Sequence, residues 1–288
     1  MKNIKIIESE AKYNIFKKKP SYVTPNVILI EDTYDIKYNQ YIIPQNHDYS
    51  LDYFTIEAIE NIDDLLLFYG NTYYESEEYK GTMFYSLDGT TWSEMSEAVS
   101  LSAGDKIMFK GAPEAIAGSA GQSIYINGEN GDDEYTVNGK FNVEGNIMSL
   151  IYGDDFIGKT SFPLNFAYEF GSLFLNQSNL INAGNLILPV TTLHNGCYSD
   201  MFKGCTSLIT APELPATTLE YMCYWEMFSG CTSLNYIKCL ATNISASDCL
   251  SYWVESVASS GTFVKNSSMN SWPTGDDGIP SDWTVQDA

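Results

Sequence analysis

Residues 188–209 read LPVTTLHNGCYSDMFKGCTSLI, and residues 214–235 read LPATTLEYMCYWEMFSGCTSLN. The two stretches align without a gap when Leu188 is placed on Leu214, at an offset of 26. A weaker copy follows, in which Leu240 and Cys249 keep this offset, and another precedes at 173–180 with an offset of 28. Repeats of this length indicate a solenoid, because one copy cannot bury its apolar side alone and must stack on the next.

Each copy contains signals for local structure. The segment 213–219 (ELPATTL) carries β-branched Thr, which favours a short extended strand. The segment 223–228 (CYWEMF) has apolar residues at i, i+1, i+4 and i+5, which predicts a short helix or helical turn with one buried side. Gly230 then predicts a break that returns the chain to the core. The predicted core residues are Leu188, Cys197, Phe202, Cys205, Leu208, Leu214, Cys223, Phe228, Cys231 and Leu234.

All six cysteines lie in this half, at 197, 205, 223, 231, 239 and 249. Four of them repeat with the period, as 197/223 and 205/231, which places them at equivalent positions in successive copies. This favours small, buried thiols in the core. Disulfides are the first alternative. A zinc site is the second, although no C-x-x-C motif is present and only His194 lies nearby.

The middle of the chain follows a different pattern. Strands are predicted at 53–59, 106–110, 123–126 and 135–137, and a hairpin at 82–92 around the Asp88-Gly89 turn. Short strands at this spacing predict a small all-β sandwich of the Ig-like type. The predicted fold class is therefore mixed α+β: an N-terminal anchoring arm (1–48), the sandwich (49–147) and a leucine-rich-repeat solenoid with a C-terminal cap (148–288).

The net charge is −22, and all 15 basic residues are Lys. The absence of Arg removes the usual bidentate recognition of carboxylates and guanine. An acidic surface repels phosphate backbones, so nucleic-acid binding is not expected. The charge is uneven, since residues 1–37 hold seven Lys and five acidic residues. By charge alone this segment is either a solvated leader or an arm that docks on a partner.

The repeats over about 160–262 resemble the leucine-rich repeats of BspA-like proteins, which occur on bacterial surfaces and in phages of gut Bacteroidales. The order of a segment such as YSLDGTTW, then AGDKIMFKG and GKFNVEGNIMSLIYGDDF, is similar to that family. The N-terminus resembles a leader on virion proteins of crAss-like bacteriophages. The residues that carry this second resemblance, and that are the candidate anchoring residues, are Pro25, Asn26, Val27, Leu29, Glu31, Asp32, Tyr38 and Asn39.

The resemblance implies a structural phage protein displayed on the virion surface, as a head fibre or capsid decoration, and made in the bacterial host cytoplasm. Residues 1–48 would bind capsid or other virion proteins, and the chain would form a homo-oligomer, either a dimer or a trimer. Adhesion to glycans or to the host surface is a further hypothesis. The alternatives are a bacterial surface adhesin of the BspA-like type and a tail appendage protein.

No enzyme activity, cofactor, metal or membrane insertion is predicted. The segment 153–160 fits the P-loop pattern, but Asp154 and Asp155 would face the phosphates, which favours a simple turn. The segment 86–92 resembles the Asp-box hairpin of sialidases, which is a fold element. The acidic loop 127–134 is an open candidate for calcium, although its spacing differs from that of an EF-hand.

Exposed aromatic residues are the remaining candidates for binding. Tyr and Trp present a large apolar surface together with a polar group, and they can pack on sugar rings or on a protein partner. Tyr221 and Trp225 lie between predicted core positions of the repeat, so we expect them to face solvent. The candidate surface-binding residues are Tyr221, Trp225 and Tyr236.

Overall fold

The structure is a computed structural model that describes residues 47–71, 82–112, 122–126, 136–163 and 170–288. These residues are mostly β, and their one α-helix, α1, spans Ser149–Tyr152. The predicted α+β class is therefore wrong. The strands are β1 Phe54–Ala58, β2 Ile62–Leu65, β3 Leu67–Asn71, β4 Met83–Ser86, β5 Ser93–Glu94, β6 Val99–Leu101, β7 Lys106–Gly111, β8 Gln122–Ile126, β9 Phe141–Asn146, β10 Leu180–Ile187, β11 Thr210–Leu214, β12 Tyr236–Cys239, β13 Thr262–Lys265 and β14 Thr284–Asp287.

Ten strands form one sheet in the order β14-β13-β12-β11-β10-β9-β1-β7-β4-β5. Neighbours from β9 to β14 are parallel, and those from β9 to β5 are antiparallel. β9 belongs to both parts, because Val143 lies opposite Ile56 of β1 and Gly145 lies opposite Leu186 of β10. Strand pairing thus continues across residue 147, the predicted boundary between the sandwich and the repeats.

The described residues of 49–147 do not form the predicted Ig-like sandwich. Such a sandwich needs two extended sheets that face each other. In the described residues the strands outside the large sheet form only two separate pairs, β2 with β6 and β3 with β8. The remaining strands of this region extend the sheet of the repeats. Single strands agree better with the sequence, since β1, β7 and β8 lie at the expected positions. The predicted hairpin forms, but its second strand is β5 at Ser93–Glu94, just beyond the predicted 82–92. Of the predicted strand 135–137, the described residues 136–137 are not in a strand.

The predicted solenoid is confirmed, with about four turns. Thr210 lies opposite Tyr236, and Tyr236 lies opposite Thr262, so these strands follow one another at the offset that separates the two strong copies. The first step, from Asn182 to Thr210, is longer and matches the wider offset of the first copy. The last step, from Thr262 to Thr284, is shorter. The parallel sheet therefore reproduces the period of the sequence.

The strand of each repeat begins earlier than predicted. β11 starts at Thr210, three residues before the segment 213–219. Within that segment the chain leaves the sheet, and Thr218 makes isolated parallel bridges with Thr192 and Asn243 of the neighbouring repeats. Each repeat thus touches the next along a strand and again at one residue after it. Pro215 lies between these two contacts, where the chain needs no backbone donor.

The side of the solenoid opposite the sheet consists of stacked turns, and the predicted helix is absent there. Alternate residues donate their backbone N–H to a carbonyl of the next repeat, and the residues between them donate to the carbonyl three positions earlier. An α-helix needs every N–H to bond four residues back, which this alternation excludes. The donors to the next repeat in the first strong copy are Gly196, Tyr198, Asp200, Phe202 and Gly204.

These turns repeat every four residues. In the second strong copy, Met222, Glu226 and Gly230 have positive φ values of 55°, 50° and 76°. In each turn two consecutive residues face the core, as at 223–224 and 227–228, whereas most residues between these pairs are half-buried or exposed, with Ser199 and Ser229 as buried exceptions. The spacing i, i+1, i+4, i+5 therefore suits this turn as well as a helix. The equivalent positive-φ residues are Ser172, Asn176, Gly196, Asp200, Gly204, Asp248, Tyr252 and Ser256.

Aromatic side chains form columns through the core. Phe202 stacks on Phe174 at 5.1 Å and on Phe228 at 5.6 Å between ring centroids. Phe54 of β1 lies 6.1 Å from Phe174, so the first column continues into the antiparallel part of the sheet. One core therefore serves both parts. The second column contains Phe170, Tyr198, Tyr224, Trp253 and Trp272.

All ten predicted core residues are buried, and the six cysteines are buried with them. No disulfide joins these cysteines, which all lie among the described residues. The thiols of Cys205 and Cys231 donate to the carbonyls of Phe174 and Phe202, each at 3.0 Å. Burial raises the pKa of the Cys239 thiol to about 12. The cysteines thus fill the core as small neutral side chains.

Candidate binding surface

The structure separates the three predicted surface residues. Tyr221 and Trp225 lie on the turn side of the solenoid, where Tyr221 is 43% exposed and Trp225 is half-buried. Tyr236 belongs to β12, in which Ile237 and Cys239 face the core. Because successive side chains of a strand point to opposite faces, Tyr236 lies on the outer face of the sheet. It cannot form one site with the other two residues.

Trp225 occupies the centre of a regular array on the turn side. A row is defined here as the residues at equivalent positions in stacked repeats. The backbone N–H of Asp200 donates to the carbonyl of Trp225 at 2.9 Å, and the backbone N–H of Glu226 donates to the backbone carbonyl of Ser251 at 2.9 Å. These bonds place Ser199, Trp225 and Ser251 in one row. The row therefore contains one large aromatic side chain between two small hydroxyl side chains.

Lys203 joins the charged groups around Trp225. Its Nζ lies 5.7 Å from the centroid of the indole ring and 3.3 Å from an oxygen of Asp200, and it also contacts Glu226. Burial raises the pKa of Asp200, although Lys203 acts in the opposite direction. Burial alone would lower the pKa of Lys203, but its hydrogen bond to Glu226 and its contact with Asp200 outweigh this and raise it. The lysine and the two carboxylates thus form a partly buried ion network.

Residues that no sequence motif marks complete this surface. Tyr252 follows Glu226 in the row that contains Asp200, and it is 52% exposed. Lys203, Asp200 and Glu226 belong to different turns of two repeats and had no motif to mark them. The period of the repeat contained a usable signal, because it places 200, 226 and 252 in one row. Applying the period to the polar positions as well as to the apolar ones would have found the cluster.

The described chain begins at the centre of the sheet. The Nδ2 of Asn185 in β10 donates to the hydroxyl of Tyr49 at 3.0 Å. The Nδ2 of Asn146 in β9 donates to the carbonyl of Ser50 at 3.0 Å, and the backbone N–H of Asn146 donates to the backbone carbonyl of Asp52 at 2.9 Å. The segment 49–52 is therefore fixed where the antiparallel and parallel parts of the sheet meet.

The Asp-box-like segment forms the predicted hairpin turn. The Oδ1 of Asp88 accepts the backbone N–H groups of Thr90 and Thr91 at 2.8 and 2.7 Å, and Ser86 Oγ accepts that of Gly89 at 2.9 Å. The two N–H groups lower the pKa of Asp88 well below its ordinary value of 3.8. This carboxylate stabilises a turn, as expected for a fold element.

The P-loop-like segment 153–160 begins with a short 3-10 helix, Gly153–Asp155, and continues as a turn with no helix within 156–163. Asp154 accepts hydrogen bonds from Lys110 Nζ at 2.8 Å and from the hydroxyl of Tyr53 at 2.7 Å. These bonds lower its pKa against the effect of burial. A phosphate site needs backbone N–H groups directed at an anion, whereas this loop presents a carboxylate to a lysine. The expected turn is therefore observed.

The candidate anchoring residues, from Pro25 to Asn39, and the candidate calcium loop 127–134 lie outside the described residues. Where the structure describes the chain, no group of three or more His, Cys, Asp or Glu side chains is arranged to hold a metal ion. In the same part of the chain, no helix combines the length and the apolar character needed to cross a membrane.

Comparison of the chain with protein-family models, with curated proteins and with solved structures finds no match.

Proposed function

We propose that the chain is a structural protein of a bacteriophage particle, displayed on the virion surface as a head fibre or capsid decoration. Its body contributes no catalysis and presents a surface. The resemblance of the N-terminal leader and of the repeats supports the phage assignment. The cysteines, buried and without disulfides, are compatible with synthesis and assembly in the reducing cytoplasm of a bacterial host.

The observation that carries the proposal is the set of hydrogen bonds that hold segment 49–52 against strands β9 and β10. Residues 1–48 would bind capsid or other virion proteins, and a pull on them would reach Asn146 and Asn185 at the centre of ten hydrogen-bonded strands. The load would thus be shared by both halves of the body. An attachment at this point would leave the turn side of the repeats available to glycans or to the host surface.

Deletion of residues 1–45 tests the attachment. The shortened chain keeps every described contact of 47–288, so we expect it to fold but to be missing from purified particles by mass spectrometry. The intact chain should be present at many copies per particle. Absence of the intact chain from virions would overturn the assignment, and incorporation of the shortened chain would overturn the role of the arm.

Two further measurements refine the assignment. Immunogold labelling of particles distinguishes a head fibre from a tail appendage. Analytical ultracentrifugation of the purified chain tests the proposed dimer or trimer. Labelling of the bacterial envelope in cells that carry no phage would instead favour the adhesin.

A further inference from the structure

The indole ring of Trp225 is half-buried among small side chains on the turn side of the solenoid. Ser199 and Ser251 flank it in the same row, and Ser229 follows it in the next turn of the same repeat. Ser199 and Ser229 are almost fully buried, at 4% and 7% exposure, whereas Trp225 is only half-buried. Because these three serines are short, they leave part of the indole ring open to a ligand, and the ammonium group of Lys203 lies 5.7 Å from the ring centroid.

Two exposed tyrosines extend the aromatic surface. Tyr221 lies four residues before Trp225, in the preceding turn of the same repeat, and Tyr252 lies in the adjoining repeat. Both are close to half exposed. Aromatic side chains of this kind combine a flat apolar face with a polar hydroxyl or N–H group. A pyranose ring matches such a surface, because its C–H groups form an apolar face and its hydroxyls lie around the edge.

The polar groups beside the indole supply both kinds of hydrogen-bonding partner. The carboxylates of Asp200 and Glu226 accept hydrogen bonds from hydroxyls, and the ammonium group of Lys203 donates them. Lys203 also holds the two carboxylates in place, since it contacts both. The side chain of Lys203 is 36% exposed and those of Asp200 and Glu226 are 16% and 17% exposed, so a ligand rich in hydroxyls can reach part of each group beside the indole.

The charges define the class of ligand. An anionic sugar would approach two carboxylates, a lysine already paired with them, and a chain of net charge −22. A neutral sugar meets no such repulsion. We infer that Trp225, with Asp200, Lys203 and Glu226 beside it and Tyr221 and Tyr252 as flanking contacts, forms a subsite for a neutral pyranose unit of a glycan. The inference deepens the proposed display function, but saccharide binding can be measured without any virion.

The test uses the full chain on an array of oligosaccharides ending in glucose, galactose, mannose or N-acetylglucosamine, with sialylated and sulfated glycans beside them. Dense immobilisation compensates for weak single contacts. We expect binding to neutral oligosaccharides only. The strongest neutral ligand is then titrated by calorimetry, where Trp225→Ala should lower the affinity at least about tenfold and Trp225→Tyr should retain most of it.

Tyr236→Ala is the matched control, because it removes an aromatic side chain from the opposite face of the adjoining repeat and should leave the affinity unchanged. Circular dichroism of each variant confirms that the fold survives. Failure of the intact chain to bind any neutral saccharide would overturn the inference, as would preference for acidic glycans or equal binding by Trp225→Ala. None of these results would affect incorporation into virions, so the two proposals fail separately.

Discussion

The antiparallel and parallel parts of the sheet share one core but form it in different ways. In the parallel part, Phe202 meets a phenylalanine on each side, because the stacked repeats place the same residue at the same position. In the antiparallel part, Phe54 packs on Phe109 at 5.9 Å, and no period relates the two residues. The difference shows how a repeat specifies its core contacts: a side chain that stacks well on its own copy makes the same contact in every repeat.

The largest loss of stability is expected from Phe202→Ala, which removes the middle ring of a buried aromatic column. The loss of burial and the resulting cavity should lower the free energy of unfolding by about 3–5 kcal/mol. Because Phe54 continues this column, both parts of the sheet should unfold together. Urea denaturation gives the energy, and hydrogen exchange of β1 and β10 peptides tests the coupling. Protection that survives in β1 after it is lost in β10 would contradict a shared core.

A smaller effect is expected from two glycines of one row, Gly204 and Gly230. Both have positive φ, so alanine at either position should cost about 1–2 kcal/mol. A Cβ at Gly204 would also lie 2.2 Å from the side-chain oxygen of Asn176, whereas at Gly230 the nearest atoms are 3.6 Å away. Gly204→Ala should therefore destabilise more than Gly230→Ala. Thermal unfolding compares them, and equal losses would show that the Asn176 side chain moves freely aside.

The sequence was sufficient for the solenoid, because the constant offset between the copies fixes which residues stack. It was not sufficient for the turns, because the spacing of Cys223, Tyr224, Met227 and Phe228 suits a helix and a four-residue turn equally. Only the N–H bonds between repeats and the positive φ of residues such as Met222 separate the two. These features depend on the neighbouring repeat, and no residue type in the second copy signals them except Gly230.

The antiparallel part was predicted strand by strand but not as a whole. Alternation predicts β1, the turn at 101–105 precedes the predicted β7, and the Asp-Gly pair predicts the hairpin turn. Nothing in 141–146 indicates that β9 pairs with the repeats on one side and with β1 on the other. For the candidate surface, the repeat predicts the exposure of Tyr221, whereas Trp225, also predicted to face solvent, is half-buried. The contact of Lys203 with Glu226 joins two repeats through long side chains whose directions the sequence does not specify.

The hairpin of the antiparallel part depends on one carboxylate, which makes its stability sensitive to pH. The folded pKa of Asp88 lies below its ordinary value of 3.8, so its contribution is present above that value and is lost as the pH falls below it. Asp88→Asn should destabilise the chain near pH 7, and the difference from the natural chain should shrink below about pH 4. Urea denaturation from pH 7 to pH 2 measures this. A constant difference over that range would contradict the role assigned to the carboxylate.

The smallest expected change in stability is an increase, from a substitution at Tyr252. Tyr252 is exposed and has a φ of 54°, a conformation that is unfavourable for a bulky side chain. Tyr252→Gly removes this strain and should stabilise the chain by at most about 1 kcal/mol, since glycine adds entropy to the unfolded state. Tyr221→Gly is the matched control, because Tyr221 is not among the positive-φ residues and should lose stability. If the melting temperatures of both variants shift in the same direction, the backbone of Tyr252 is not strained.

The hydrogen bonds between turns of successive repeats have a genetic consequence. Residues 188–209 and 214–235 differ at few core positions, so recombination between the corresponding stretches of DNA would insert or remove a whole repeat. An inserted copy would find Phe on Phe, Cys on Cys and Gly on Gly, and every donor of its turns would meet a carbonyl. Each such event would change the length of the body by one strand spacing, about 4.8 Å. The reach of this protein can therefore evolve in discrete steps without new side chains.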